Sequence, residues 1–227
     1  MLKDTKSFDF LKFLASGSSN GHANADRLPS LEALSEQYGV SISVLREQLQ
    51  VARALGLVEV RPRTGIRRLP YSFAPAVRES LFYAMARERK SFDQFANLRR
   101  HLERAYWQEA VEKLTAADIA ELRDLVKTAE DMLKGDPIRV PNAEHRELHI
   151  TIFRHLENPF VLGMLEAYWD AYEKVGLTRY TGLAYQEQVW DYHHRIVEAI
   201  AAKQFEKGHQ LLNEHFELID KRPESKE

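Results

Sequence analysis

LPSLEALSEQYGVSISVLREQLQVARALGLVEVRPRTGIRRL, residues 28–69, decides the architecture of the amino-terminal part of the chain. Ser30 stands where a helix N-cap accepts a backbone N–H; Leu31 and Leu34 follow, and Gly39 supplies the stop. Ser41 repeats the cap for ISVLREQLQVARAL, whose Val44, Leu45, Leu49, Val51 and Ala52 fall largely at helical spacing until Gly56. LVEV and IRRL then read as two short strands around the turn RPRTG. Helix, tight turn, helix and basic hairpin predict a winged helix-turn-helix. A short helix around Phe8–Leu14 and a small, polar loop over residues 15–27 precede it.

Strand patterns vanish after Pro75. Helical periodicity predicts segments near 76–89, 91–113, 116–134, 142–156, 160–175, 184–202 and 204–220, separated by breaks such as Lys134-Gly135-Asp136-Pro137 and Asn158-Pro159. The fold class is therefore mostly α. A winged helix-turn-helix domain occupies residues 1–70, an all-α bundle of about seven helices residues 71–222, and a solvated tail residues 223–227. With 44% hydrophobic and 29% charged residues in 227, the composition is that of a folded chain and excludes a disordered or fibrous one. The absence of cysteine excludes disulfides, thiolate metal sites and cysteine nucleophiles. No apolar run is long enough to span a membrane and the amino terminus lacks a secretory core, so the expected location is the cytoplasm.

A formal net charge of −2 conceals an asymmetry. Residues 1–70 carry ten Lys/Arg against seven Asp/Glu, whereas the remainder carries 22 against 27. Arg61, Arg63, Arg67 and Arg68 crowd into RPRTGIRR. Such a cluster is either a solvated turn or, on a small basic domain ahead of an acidic one, a surface for nucleic acid.

Eight of the nine histidines follow residue 100, and their helical phase is informative. His145 and His149 lie four apart on the apolar face of Leu148, Ile152, Phe153 and Leu156, about 6 Å between Cβ atoms. His193 falls within the stripe Val189, Trp190, Ile196, Val197 and Ile200. His215 falls within Leu211, Leu212, Leu218 and Ile219. A single inward histidine is ordinarily a hydrogen-bonded core residue. Four of them leave many buried nitrogens in need of partners and point to one shared divalent metal, zinc or nickel, held at about 2.0–2.2 Å. His194 is expected to face the surface, His155 and His209 lie off the stripes, and His22 falls in the polar loop. Arg99 sits among Phe95, Leu98, Leu102 and Tyr106. It either pairs with Glu103 or another acid, or aims its guanidinium into a cavity to hold a carboxylate.

In the order and spacing of its motifs the sequence resembles GntR-type transcription regulators of the FadR-like branch, whose carboxy-terminal ligand-binding domain is called FCD. The resemblance runs from about Leu28 to Phe216. It rests on LPS at 28–30, GVS at 39–41, LREQL at 45–49, GLV at 56–58 and Gly65, then on LRRHLE at 98–103, HRELH at 145–149, NP at 158–159, His193 with EAI, and His215. It implies a homodimer that binds palindromic double-stranded operator DNA, acts as a repressor and responds to a small carboxylate. The residues placed on DNA are Ser41, Ser43, Arg46, Arg61, Arg63, Gly65 and Arg67, with Arg46 at a base edge or phosphate and the wing arginines on the backbone. Family metal sites use one Asp and three His; His145 stands in the Asp position here, with His149, His193 and His215 in the others. Arg99 matches an arginine that faces the effector. Two positions that often carry Arg hold Glu32 and Ile42 instead, which weakens or redirects the DNA contacts.

Two other classes remain in view. A metal-stabilised dimer could bind DNA without responding to any effector. A helical metallohydrolase is the less favoured class: HRELH is similar to the zinc-protease pattern, but Arg146 stands where the general base belongs.

Overall fold

The computed structural model describes residues 8–16, 26–175 and 182–220. Most of the polar loop expected over 15–27, His22 and the tail at 223–227 lie outside the described residues; Ala15 and Ser16 end the first helix. The chain divides into two compact units, Met1–Glu79 and Ser80–Glu227.

The first unit contains α1 (Phe10–Ser16), α2 (Leu31–Tyr38), α3 (Ile42–Ala54), β1 (Val58–Arg61) and β2 (Gly65–Arg68). The expected caps are present: Ser30 Oγ accepts from the Ala33 N–H and Ser41 Oγ from the Val44 N–H. Gly39 adopts φ 67°, a left-handed conformation that a side chain would resist, and so turns α2 sharply into α3. β1 and β2 pair antiparallel with Val60 opposite Ile66, and the Leu28 N–H donates to the Ile66 carbonyl at 2.9 Å. Phe10, Leu14, Leu34, Leu45, Leu49, Val58 and Ile66 form the core. Gln48 binds α1 to α3, accepting from the Phe10 N–H at 3.0 Å and donating to the Phe8 carbonyl at 2.9 Å.

α4 (Ala74–Arg87) begins in the first unit, where Pro75 packs so closely on Gly56 that a Cβ there would come within 2.5 Å of the proline ring. That contact carries the first unit beyond residue 70, where the sequence reading ended it.

The second unit continues with α5 (Lys90–Glu112), α6 (Ala116–Lys134), α7 (Asn142–Phe153), α8 (Pro159–Val175), α9 (Leu183–Ala201) and α10 (Phe205–Asp220). α7 ends three residues before the expected 156, yet Leu156 stays buried. α5 packs on α7, α8 and α10, while α6 packs on α7 and α9. Gly208 brings α10 against α5, and Trp107 donates its indole N–H to the Phe205 carbonyl at 2.9 Å. Thr115 and Asp118 close a reciprocal capping box at the start of α6. Trp107, Leu122, Leu148, Ile152, Phe153, Leu165, Ile196, Leu212 and Phe216 are among the residues that build the core around the histidines.

Candidate functional site

The four inward histidines meet. His145 and His149 project from successive turns of α7, His193 from α9 and His215 from α10, all buried, with one ligand atom from each within 4.8 Å of the others. The closest ring centroids are those of His193 and His215 at 4.5 Å and of His145 and His193 at 4.7 Å. The same phase that places Leu148 and Ile152 in the core turns these imidazoles inward.

Six ring nitrogens in the cluster have no hydrogen-bond partner among the described residues: Nε2 of His145 and His149, and both nitrogens of His193 and His215. Unpaired nitrogens of this kind cost about 1–3 kcal/mol each when buried. Burial, together with the neighbouring charged groups, holds His145, His193 and His215 well below the ordinary imidazole pKa, and burial also lowers His149 despite Glu103. The rings are therefore neutral, with lone pairs available. Several buried nitrogen donors converging without another partner fit a borderline divalent cation such as zinc or nickel.

Beside the cluster lies a buried triangle. Arg99 Nε donates to Glu103 Oε1 at 2.6 Å, and Nη2 reaches Oε2 at 3.3 Å. His149 Nδ1 lies 3.2 Å from Glu103 Oε2 and 2.9 Å from Arg99 Nη2. A neutral ring satisfies one neighbour at a time. As Nδ1–H it donates to Glu103 and leaves the Nε2 lone pair for a metal; in the other tautomer it accepts from Arg99. Burial opposes both charges of the pair, but mutual attraction outweighs it, so Glu103 stays ionised and Arg99 protonated. Arg99 thus takes the pairing with Glu103 that the sequence left open beside a carboxylate site. Leu98, expected on the same face, is exposed instead; the buried stripe of α5 runs Phe92, Arg99, Glu103, Trp107 and Ala110.

Residues the sequence did not single out wall the site. The Trp169 ring lies 4.7 Å and the Trp190 ring 6.0 Å from His145. The Arg99 guanidinium sits over Tyr168 at 4.4 Å and Trp169 at 4.7 Å. The run AYWDAY in α8 was the available signal, but its helix is apolar on too many sides to give a phase. The remaining described histidines lie elsewhere. His194 Nδ1 is 2.8 Å from Glu130, His155 Nε2 is 2.9 Å from Asp118, His209 stacks on Trp107, and His101 Nδ1 meets the Asn97 carbonyl. In HRELH, Arg146 pairs with Asp170 at 2.8 Å and Glu147 is exposed, so neither residue takes the general-base place of the zinc-protease pattern.

In the first unit, Ser41, Ser43, Arg46, Arg61, Arg63, Gly65 and Arg67 are all exposed. The Ser41 hydroxyl accepts the capping N–H and keeps its own proton to donate. Arg61 pairs with Glu59 at 2.9 Å. Arg63 and Gly65 shape the hairpin turn with φ 67° and 79°. The Glu32 carboxyl is held below its ordinary range by its own backbone N–H, by Ser30 and by the charge of Arg46. A carboxylate therefore sits within electrostatic reach of the arginine on α3.

Residues 94–218 match the FCD domain family, and residues 20–67 match the family of bacterial regulatory proteins called gntR. The chain belongs to the GntR family and carries an FCD domain. This GntR/FCD chain is a DNA-binding transcriptional regulator of winged helix-turn-helix and all-helical architecture, not an enzyme. Two Bacillus subtilis (strain 168) regulators are similar to it. The HTH-type transcriptional regulator LutR is 27% identical over 78% of this chain and 82% of its own. The HTH-type transcriptional regulator YcbG is 27% identical over 88% of this chain and 82% of its own. Among solved structures, Streptococcus agalactiae GntR aligns with a TM-score of 0.59 at 19% identity, covering 85% of this chain and 88% of that one. E. coli McbR/YncC aligns with a TM-score of 0.50 at 23% identity over 84% of each. These two share the fold of the GntR/FCD chain. No helix among its described residues is long and apolar enough to cross a membrane.

Proposed function

We propose that this GntR-family chain is a homodimeric, cytoplasmic repressor whose FCD domain holds one divalent ion, zinc or nickel, on His145, His149, His193 and His215. The orphaned imidazole nitrogens carry this reading. When bound, the ion acts as a Lewis-acidic centre that ties α7, α9 and α10 together. α3 enters the major groove, where Arg46 reads a base edge or grips phosphate and Ser41 and Ser43 donate to the backbone. Arg61, Arg63 and Arg67 track the phosphates from the wing, and Gly65 lets its turn approach them. Occupancy of the helical unit changes operator affinity only insofar as DNA-bound and free states differ in their affinity for that ligand.

One observation favours a second reading, a small carboxylate effector on Arg99. Nη2 of Arg99 lies 2.9 Å from His149, so a carboxylate displacing Glu103 would meet both the guanidinium and the metal-binding rings. In vitro selection of the metal-loaded chain against random duplex DNA at about 0.15 M salt tests the DNA-binding part of the proposal. Enrichment of an inverted repeat that Arg46→Ala no longer recovers supports it. A folded dimer that enriches nothing would refute it.

A further inference from the structure

A short stretch of chain ahead of α2 lies along the wing and enlarges it. Residues 26–28 run antiparallel to β2: the Leu28 N–H donates to the Ile66 carbonyl at 2.9 Å and the Arg68 N–H to the Asp26 carbonyl at 2.7 Å. Between these two hydrogen bonds Arg27 stands directly opposite Arg67. A pair bracketed in this way exchanges no backbone hydrogen bond of its own. Its Cα atoms approach to about 4.5 Å, the closer of the two antiparallel spacings. Both side chains therefore leave the same face of the ribbon, side by side. Leu28 and Ile66 turn to the other face and are buried in the core, whereas Arg27 and Arg67 are exposed.

Like charges directly opposite each other destabilise a sheet. The acid across from the pair is engaged elsewhere. Glu59 lies opposite Arg67 on β1, but its Oε2 is 2.9 Å from both Nε and Nη2 of Arg61. Neither Arg27 nor Arg67 makes a side-chain hydrogen bond or an ion pair among the described residues. Two uncompensated guanidiniums thus emerge together on a face that the fold turns to solvent. Paired planar forks at this spacing suit the oxygens of a phosphate chain. Both residues fall inside the gntR-family match at 20–67, which makes duplex DNA the source of those phosphates.

We infer that Arg27 and Arg67 form a two-guanidinium clamp on the sugar–phosphate backbone, which extends the DNA-binding face of the wing to a residue ahead of α2. This rests on the DNA-binding reading above, in which the wing acts through its hairpin alone. The clamp supplies affinity and register rather than sequence discrimination, because every step of a duplex presents the same phosphate. Arg61 contributes less than either, since Glu59 already shares its charge. In the free chain, water and salt screen the two exposed charges; on DNA, the phosphates relieve them.

The test measures fluorescence anisotropy of the full chain on its selected operator and on a random duplex over a range of salt. Arg27→Gln and Arg67→Gln should each weaken both duplexes by the same factor, at least about threefold at about 0.15 M salt. Each should make the slope of log Kd against log salt shallower by about one, and the double variant by about two. Arg61→Gln should change the slope less. Arg27→Lys keeps the charge and should retain most of the wild-type slope. The melting temperature should not fall in Arg27→Gln, since one of two facing like charges has gone. A wild-type Kd and slope in Arg27→Gln overturn the inference. A loss confined to the operator also overturns it, by making Arg27 a reader of bases. So does a loss of affinity that tracks a lowered melting temperature, which would make the residue structural. If the wild-type chain binds neither duplex, the DNA-binding reading itself fails and the inference with it.

Discussion

Arg99, Glu103 and His149 depend on one another more than on anything around them. Replacing Glu103 by Ala leaves a buried guanidinium unpaired and removes the acceptor that orients His149. The expected loss is about 3–5 kcal/mol of stability, read as a lower urea midpoint. Acetate or propionate at millimolar levels should recover part of it by refilling the carboxylate position; no recovery would mean that Glu103 serves only as packing. The sequence already showed this pair as an i, i+4 acid and base. It also showed the inward phase of His145, His149, His193 and His215, because one imidazole among Leu, Ile and Val does not disturb an apolar stripe. Hydropathy placed Arg99 on the apolar face but could not show that Glu103 lies inside with it while Leu98 lies outside. Two charges that cancel each other can share an inner face, and a hydrophobic pattern counts the acid as surface.

Helix boundaries were legible wherever backbone chemistry enforces them. Gly39, Gly56, Pro159 and the capping serines each change what the chain can do locally, so the predicted helices end within a few residues of the observed ones. α8 was the exception in content: its boundaries were clear, but a helix buried on most sides gives no phase from which to place Trp169. Two predictions belong to single elements. Gly208→Ala should destabilise the helical unit despite the better helix propensity of Ala, because its Cβ would stand 2.7 Å from the Trp107 ring, itself fully buried. A net loss of about 1–2 kcal/mol, read as a lowered melting temperature, is expected, and a raised melting temperature would show that α10 can shift. On the DNA-binding face, Glu32→Ala removes a carboxylate near Arg46. Operator and random duplex should both bind more tightly, and the salt dependence should steepen in fluorescence anisotropy. Unchanged affinity would place Glu32 outside the electrostatic reach of the DNA.

Across the molecule, the charge split between a basic first unit and an acidic second one was readable by counting, and the basic unit is the one that contains the gntR-family match at residues 20–67. The acid response of the whole chain follows from the second. In the metal-free chain, His145, His149, His193 and His215 are neutral when folded, with pKa values depressed below the ordinary 6.5. Below that pH the unfolded chain binds more protons than the folded one, so stability falls as pH drops from 6.5 towards the folded pKa values. Each extra proton contributes a slope of about 1.4 kcal/mol per pH unit. Urea midpoints of the chelated chain should fall steeply between about pH 7 and 5.5, and those of the zinc-loaded chain less so. A flat profile for the chelated chain would mean that the rings already have partners in solution.

The nitrogen-only character of the cluster has one more consequence. Peroxide disarms thiolate metal sites by converting their ligands to sulfenic acids or disulfides, which sheds the ion. Imidazole has no equivalent step on that ladder, and the chain offers no cysteine elsewhere as a target. An ion held on these four imidazoles would therefore not be shed by thiol oxidation, and equal zinc retention in dialysis with and without peroxide would check it.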